Sequence, residues 1–218
     1  PSAHRPPPSP DPSNRLLSHM PRRRLEAEEL RDAMLAVSGK LDRAVGGSDA
    51  ADALYKKAEI LDDKRGFAPN RMQSDDPFYD TPRRSIYLPV VRNALPDALA
   101  LFDAADPNGV TCVRNDTTVP SQALFMLNNR FVRDQAAHFA KSLLADEKSN
   151  DADRIRQASV RALGRPATDA EVTEAIEYIK QYIAQSKAAG RSDSDAQAAA
   201  WQSYCQAILC SNEFLYVD

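Results

Sequence analysis

Across 218 residues the chain carries 28 Lys and Arg against 31 Asp and Glu, a formal charge of −3, so it has no whole-face field to attract nucleic acid or anionic lipid. Hydrophobic residues at 43% and charged ones at 27% are ordinary for a globular protein, and 7 glycines are too few for a turn-rich all-β fold. The length suits one main domain, no apolar run approaches the ~20 residues that span a bilayer, and the opening at Pro1 reads as a fragment whose targeting segment is expected upstream.

The first stretch, "PSAHRPPPSPDPS", is rich in proline, which removes backbone donors and favours extended chain. With the basic residues that follow, residues 1–21 read as a linker, and 22–218 as a single mainly helical domain. In "RRRLEAEELRDAMLAVSG", Leu30, Ala33, Met34 and Val37 recur at i, i+3, i+4 and i+7, an amphipathic helix that Gly39 is placed to end. A short helix over Asp52 to Leu61 is expected next, and "FAPNRMQSDDPFYDTP" reads as irregular. "RRSIYLPVVRN", Arg83 to Asn93, is the best strand candidate, because Ile86, Tyr87, Val90 and Val91 are β-branched or aromatic; Pro89 makes it an edge. Pro96 opens a short helix on "PDALALFDA", and "DPNG" bends the chain.

Thr118 is the expected N-cap of the next helix, with Pro120 in its first turn. Asn128 and Asn129 divide it from a second segment whose Val132, Ala136, Phe139, Ala140 and Leu143 share a face. "DADRIRQASVRAL" is a helix that stops at Gly164 and Pro166, and "TDAE", Thr168 to Glu171, is a capping box. That box starts a helix with Val172, Ala175, Ile176, Ile179 and Ile183 buried. A final helix buries Ala198, Trp201, Cys205, Ile208 and Leu209, and the apolar tail "NEFLYVD" is expected to pack rather than fray. The fold class is therefore mainly α: an irregular helical domain with a C-terminal antiparallel helix bundle and at most one or two short strands.

Four blocks carry a resemblance: "PRRSIYLPVVRNALPDALALFDAADPN", "TTVPSQALFMLNNRFV", "ALGRPATDAE" and "WQSYCQAILCSNEFLYVD", with "RRRLEAEELRDAMLAVSGKLD" as a front end. Together they resemble the C-terminal domain of unknown function of planctomycete-type exported proteins, which often also carry a cytochrome-c-like domain. The resemblance implies export to the periplasm or cell surface and a larger parent chain. It brings no activity with it.

The residues themselves exclude several chemistries. Cys112, Cys205 and Cys210 lack the C-x-x-C-H run of haem attachment, so no cofactor is expected in this chain. Cys205 and Cys210, five apart on one helix, point to different faces and are not expected to pair; three buried thiols is the simplest reading. His4 and His19 lie in or near the linker and His138 is expected to pair in solvent with Asp134, so no metal site is expected. Cys112 and Ser121 sit in no nucleophile elbow, and Asp75 and Asp76 in a proline-rich loop read as solvated acids, not a hydrolytic pair.

Arg83, Arg84, Arg92 and Arg114, with Asp116, are the sharpest candidate site, since a planar guanidinium clamps a carboxylate, phosphate or sulfate with two parallel bonds. The favoured alternative is that these arginines pair with Asp97, Asp103, Asp106 or Asp116 and fasten irregular loops to helices. The expected function is thus a non-catalytic docking or interaction module that meets upstream domains of its parent or a surface polysaccharide. No nucleic-acid partner and no membrane span is expected. An enzyme or ligand-binding domain acting on an anionic or carbohydrate substrate is the competing class.

Overall fold

The structure, a computed structural model, describes residues 11, 14–18, 20–46, 81–88, 95–146 and 148–217. Among these residues it has eight α-helices and one two-stranded sheet, so the fold is mainly α. The expected helix over Asp52 to Leu61 and nearly all of the irregular stretch after it lie outside the described residues.

Strand β1 (Arg23–Arg24) leads into helix α1 (Ala27–Ser38). Glu29 turns back to accept the backbone N–H of Glu26 at 3.0 Å, satisfying one of the free donors at the helix start. Gly39 ends the helix in the left-handed conformation, φ 78°, which costs glycine nothing because it has no Cβ. The buried stripe runs Ala27, Leu30, Arg31, Met34, Leu35, Val37 and Ser38. An arginine therefore occupies a core position.

The expected strand does not form where it is described: Ser85–Tyr87 is a turn of 3-10 helix, and residues 89–94 lie outside the description. Ser85 points inward and bonds to α1, which curls the chain where β-branched neighbours alone would have kept it extended. Helix α2 (Asp97–Leu101) follows Pro96 as expected, and Asp106 closes the next bend by accepting the N–H of Asn108 at 2.9 Å.

Helix α3 (Pro120–Asn128) starts one residue later than the Thr118 cap implies. Val119 is the cap residue; its N–H donates to Gln122 Oε1 at 3.3 Å, and Gln122 N–H donates back to the Val119 carbonyl. Thr118 instead meets the Tyr216 hydroxyl at 3.3 Å. Asn129 ends α3 and caps α4 (Arg130–Leu144), accepting the Phe131 N–H at 2.8 Å, so the two segments are separate helices.

Helix α4 is central. Val132, Ala136 and Phe139 are fully buried on it, and it packs on α1 and on α7 (Asp193–Leu209). A buried bond from Ser38 to Gln135, 2.7 Å, fixes α1 against it. Helix α5 (Asp151–Leu163) ends at Gly164, and the Thr168 to Glu171 capping box opens α6 (Asp169–Ala188), with Glu171 accepting the Thr168 N–H at 2.7 Å. Residues 189–192 return the chain so that α7 packs along α6, completing the C-terminal bundle. On α7 the buried residues are Ala196, Ala200, Trp201, Cys205 and Leu209; Ala198, expected inside, faces solvent. Trp201 is large enough to set the helix rotation, and that rotation turns Ala198 outward.

The tail packs as its sequence implies. Helix α8 (Asn212–Leu215) buries Phe214, and strand β2 (Tyr216–Val217) pairs antiparallel with β1. The Leu25 N–H also donates to the Leu215 carbonyl at 2.8 Å. The two sequence-distant ends of the described domain are thereby joined.

Candidate functional site

The arginine-rich candidate must be built from α1, because that helix supplies the partners. Arg114, on the exposed loop before α3, donates to both carboxylate oxygens of Glu28, at 2.5 and 3.1 Å, and lies 3.0 Å from Glu26. The Glu28 bonds and charge raise the Arg114 pKa further. Its partners are thus the glutamates at the start of α1, Glu26 at its cap and Glu28 in its first turn, and not Asp97, Asp103, Asp106 or Asp116.

The Arg83 side chain reaches the segment that follows the same helix. Its guanidinium is 3.4 Å from Asp42, bonds to the Gly46 carbonyl and stacks 5.2 Å from the Tyr87 ring centre. Its backbone bridges Asp42 as well. Arg83 and Arg114 share none of these partners, so they serve different loops. Arg84 is exposed, and Arg92 lies outside the described residues. Asp116 is largely exposed, 3.6 Å from Arg24.

Two arginines outside the candidate set have the stronger geometry. Arg24 on β1 is 5% exposed; it donates to the Thr117 carbonyl at 2.5 Å and pairs with Asp103 at 2.6 Å, with the Phe102 ring centre 5.7 Å away. Asp103 has a left-handed backbone, φ 61°, which its short polar side chain tolerates. Burial raises the Asp103 pKa, but the Thr117 N–H at 3.0 Å and the Arg24 guanidinium outweigh it and hold the carboxyl below its ordinary range.

Arg31 on α1 is 2% exposed. It donates to the Thr81 carbonyl at 2.5 Å, the Arg83 carbonyl at 2.9 Å and Ser85 Oγ at 3.1 Å, while its neighbour Asp32 accepts the Ser85 N–H at 2.8 Å. The Phe131 ring lies 5.8 Å from its guanidinium. Arg161 repeats the pattern, donating to the Val37 carbonyl at 2.7 Å from above the Phe139 ring.

One chemistry unites these sites. A guanidinium presents five donors in a rigid fork and no acceptor, so a single arginine satisfies several carbonyls of an irregular segment that no helix or sheet ladder reaches. Stacked on an aromatic ring, it also stays partly desolvated at low cost. Arg24 fastens the 102–117 loop, Arg31 the 81–85 segment, and Arg161 the C-terminal end of α1. Arg31 could have been found in sequence, since it continues the stripe at four after Ala27 and three before Met34. Arg24 gives no such signal; its partners are more than seventy residues away.

Little else at this face offers chemistry. The cavity between α1, α2 and α3, lined by Leu30, Met34, Leu99, Phe102 and Phe125, has a volume of about 10 Å³, room for one water molecule. Among the described residues, no three His, Cys, Asp or Glu side chains gather to hold a metal ion, and no helix is long and apolar enough to cross a membrane.

His138 is half-buried, and burial followed by the Lys40 charge holds its pKa below the usual value against the pull of Asp134. The expected His138–Asp134 pair is therefore replaced: Asp134 pairs with Arg130 at 3.3 Å. The three thiols are free, but Cys112 is exposed, contrary to the expectation of three buried ones, because its loop crosses the surface. Burial pushes the Cys210 thiol up to about 11, leaving it protonated near neutrality.

A family model described as PSD1, protein of unknown function (DUF1553), matches residues 2–179. Three of the four blocks quoted above fall within that range, and "WQSYCQAILCSNEFLYVD" falls beyond it. No curated protein and no solved structure matches the chain.

Proposed function

We propose that this chain, which belongs to the PSD1 (DUF1553) family of proteins of unknown function, is a non-catalytic helical interaction module of a larger exported protein. It docks against other domains of that parent, a cytochrome-c-like domain among them, or on a surface polysaccharide. The resemblance of the four sequence blocks supports the exported parent. One observation supports the module itself: Arg24, Arg31, Arg83 and Arg114 bond to the chain's own carboxylates and carbonyls.

An arginine that clamps a substrate must keep its donors for it. Here the donors hold loops, which is the work of a scaffold that presents a fixed surface. Calorimetric titration with phosphate, sulfate and acidic oligosaccharides tests this directly, on wild type and Arg114→Ala. The expected result is no specific heat from either protein, with a lower melting temperature for the variant. A wild-type anion affinity that Arg114→Ala removes without loss of stability would replace the module by a ligand site.

A further inference from the structure

The bend at residues 106–109, "DPNG", has a chemistry that the loop clamps do not use. Asp106 opens it, Pro107 presets its second position and Gly109 ends it, the order that a type I turn favours. The Asp106 carboxylate accepts the Asn108 N–H at 2.9 Å and the Asn108 side-chain amide at 3.0 Å. The bond that closes the turn, from the Gly109 N–H to the Asp106 carbonyl, is 3.4 Å long, beyond the usual span of such bonds. Asn108 and Gly109 are both exposed. The Gly109 nitrogen is therefore the loosely held atom of the bend, and its sequence neighbour carries an amide carbonyl.

Asn108–Gly109 is the one Asn-Gly step in the chain. Each other asparagine is followed by a residue with a Cβ, which crowds the close approach of backbone nitrogen to side chain that glycine permits. Some of those asparagines are also engaged: Asn129 and Asn150 cap helices, accepting the Phe131 and Asp153 N–H groups, and Asn128 donates to the Leu124 carbonyl. Around Gly109 the space is open. A methyl group there would meet nothing within 4 Å, and the backbone is not left-handed. The ends of the loop are pinned separately, because Asp103 accepts the Thr117 N–H and pairs with Arg24. The bend can thus rearrange while the clamp holds.

We propose that Asn108 is a site of spontaneous deamidation through a cyclic imide formed with Gly109. This goes beyond the interaction-module reading and does not depend on it. Hydroxide takes the Gly109 N–H proton, and the electron pair of that nitrogen forms a bond to Asn108 Cγ. The bond from Cγ to Nδ2 breaks, and Nδ2 leaves as ammonia with a proton from water. Water then opens the imide. Attack at Cγ gives aspartate, and attack at the backbone carbonyl carbon gives isoaspartate, whose chain runs on through the side chain; neither route oxidises or reduces anything. Either product removes the amide that donates to Asp106 at 3.0 Å and adds a carboxylate beside it, so a bond gives way to repulsion between like charges.

Incubation of the full chain at mildly alkaline pH, followed by peptide mapping with mass spectrometry and an isoaspartate methylation assay, tests the assignment. The expected result is conversion of amide to acid in the peptide that holds Asn108, with both products present and a rate that rises with pH. Gly109→Ala should slow the conversion at least about tenfold and melt at the wild-type temperature, since the added methyl has room. The same slowing is expected in urea, where folding plays no part. Asn108→Ser should lose the isoaspartate signal. An Asn108 that stays intact in the folded chain under conditions that convert it in urea would overturn the proposal, because the Asp106 bonds would then protect the amide. So would a rate unchanged by Gly109→Ala, an acid product without isoaspartate, which marks direct hydrolysis, or an isoaspartate signal that persists in Asn108→Ser.

Discussion

Replacing Arg31 by leucine removes the fastening of the 81–85 segment and nothing on the surface. The wild-type side chain is 2% exposed and donates to two carbonyls and a hydroxyl, with Asp32 alongside. Breaking a buried ion pair by deleting one partner costs about 3–5 kcal/mol. Asp32 is 23% exposed, so water can reach it and the lower end applies. The carbonyls of Thr81 and Arg83 lose a charged donor in the same step, a loss of about 1–3 kcal/mol when such groups stay buried. Leucine restores apolar contact at Phe131, which offsets part of this. A net loss of about 3 kcal/mol follows, and at about 2–4 °C per kcal/mol for a domain of this size the melting temperature falls by roughly 6–12 °C. Thermal unfolding followed by circular dichroism measures it, with Arg31→Lys as a partial rescue because one ammonium cannot bond to three separate acceptors. A drop below about 2 °C for Arg31→Leu would refute the reasoning that this arginine is a structural clamp.

Gln122→Ala should cost about 1–2 kcal/mol in denaturant unfolding, since its buried amide donates to the Leu101 carbonyl at 2.9 Å and receives the Val119 N–H. Thr118→Ala, by contrast, should fall within about 0.5 kcal/mol, as its hydroxyl caps no helix. Deleting residues from Asn212 onward removes Phe214 and the β1–β2 pair together and should lower the melting temperature markedly, where loss of a buried phenylalanine alone costs about 3–5 kcal/mol. Glu171, bonded by Arg165 at 2.8 Å and by the Thr168 N–H, has its pKa lowered to about 2. A depressed carboxyl stabilises above its unfolded value and loses that contribution as pH falls through the folded one, so acid melts should decline between about pH 4.5 and 2. Glu171→Gln should flatten that decline, and an unchanged acid profile would contradict the assignment.

What could be read from the sequence is what depends on near neighbours. The α1 stripe with Gly39, the Thr168 to Glu171 box and the Asn129 junction each use residues within four positions of one another, and all appear in the structure. The failures depend on distant partners. Ser85 reads as strand until Asp32, 53 residues earlier, accepts its N–H. Thr118 reads as a cap until Gln122 takes that role and Tyr216 meets its hydroxyl from the far end of the chain. The candidate site was half legible. Pairing of loop arginines with acids is the right physics, but Arg114 takes Glu28 and Glu26, more than eighty residues away, in place of the aspartates nearer in sequence. Arg24 and Arg31 are not legible as buried residues from their type, since a charged side chain is ordinarily exposed unless paired, though Arg31 lies on the apolar stripe.

The account's central claim is that arginine holds this fold's irregular loops together, and Arg24 with Asp103 is its clearest case. A double-mutant cycle of Arg24→Leu and Asp103→Asn in urea unfolding isolates the pair from the other bonds each residue makes. The side chains are 5% and 12% exposed at 2.6 Å, a setting in which residues sharing one bonded network couple by about 0.5–3 kcal/mol, and burial places this pair near the top of that range. A coupling of about 2 kcal/mol or more is the predicted result. A coupling near zero, with each single variant close to wild type in stability, would contradict the claim and free both residues for another purpose.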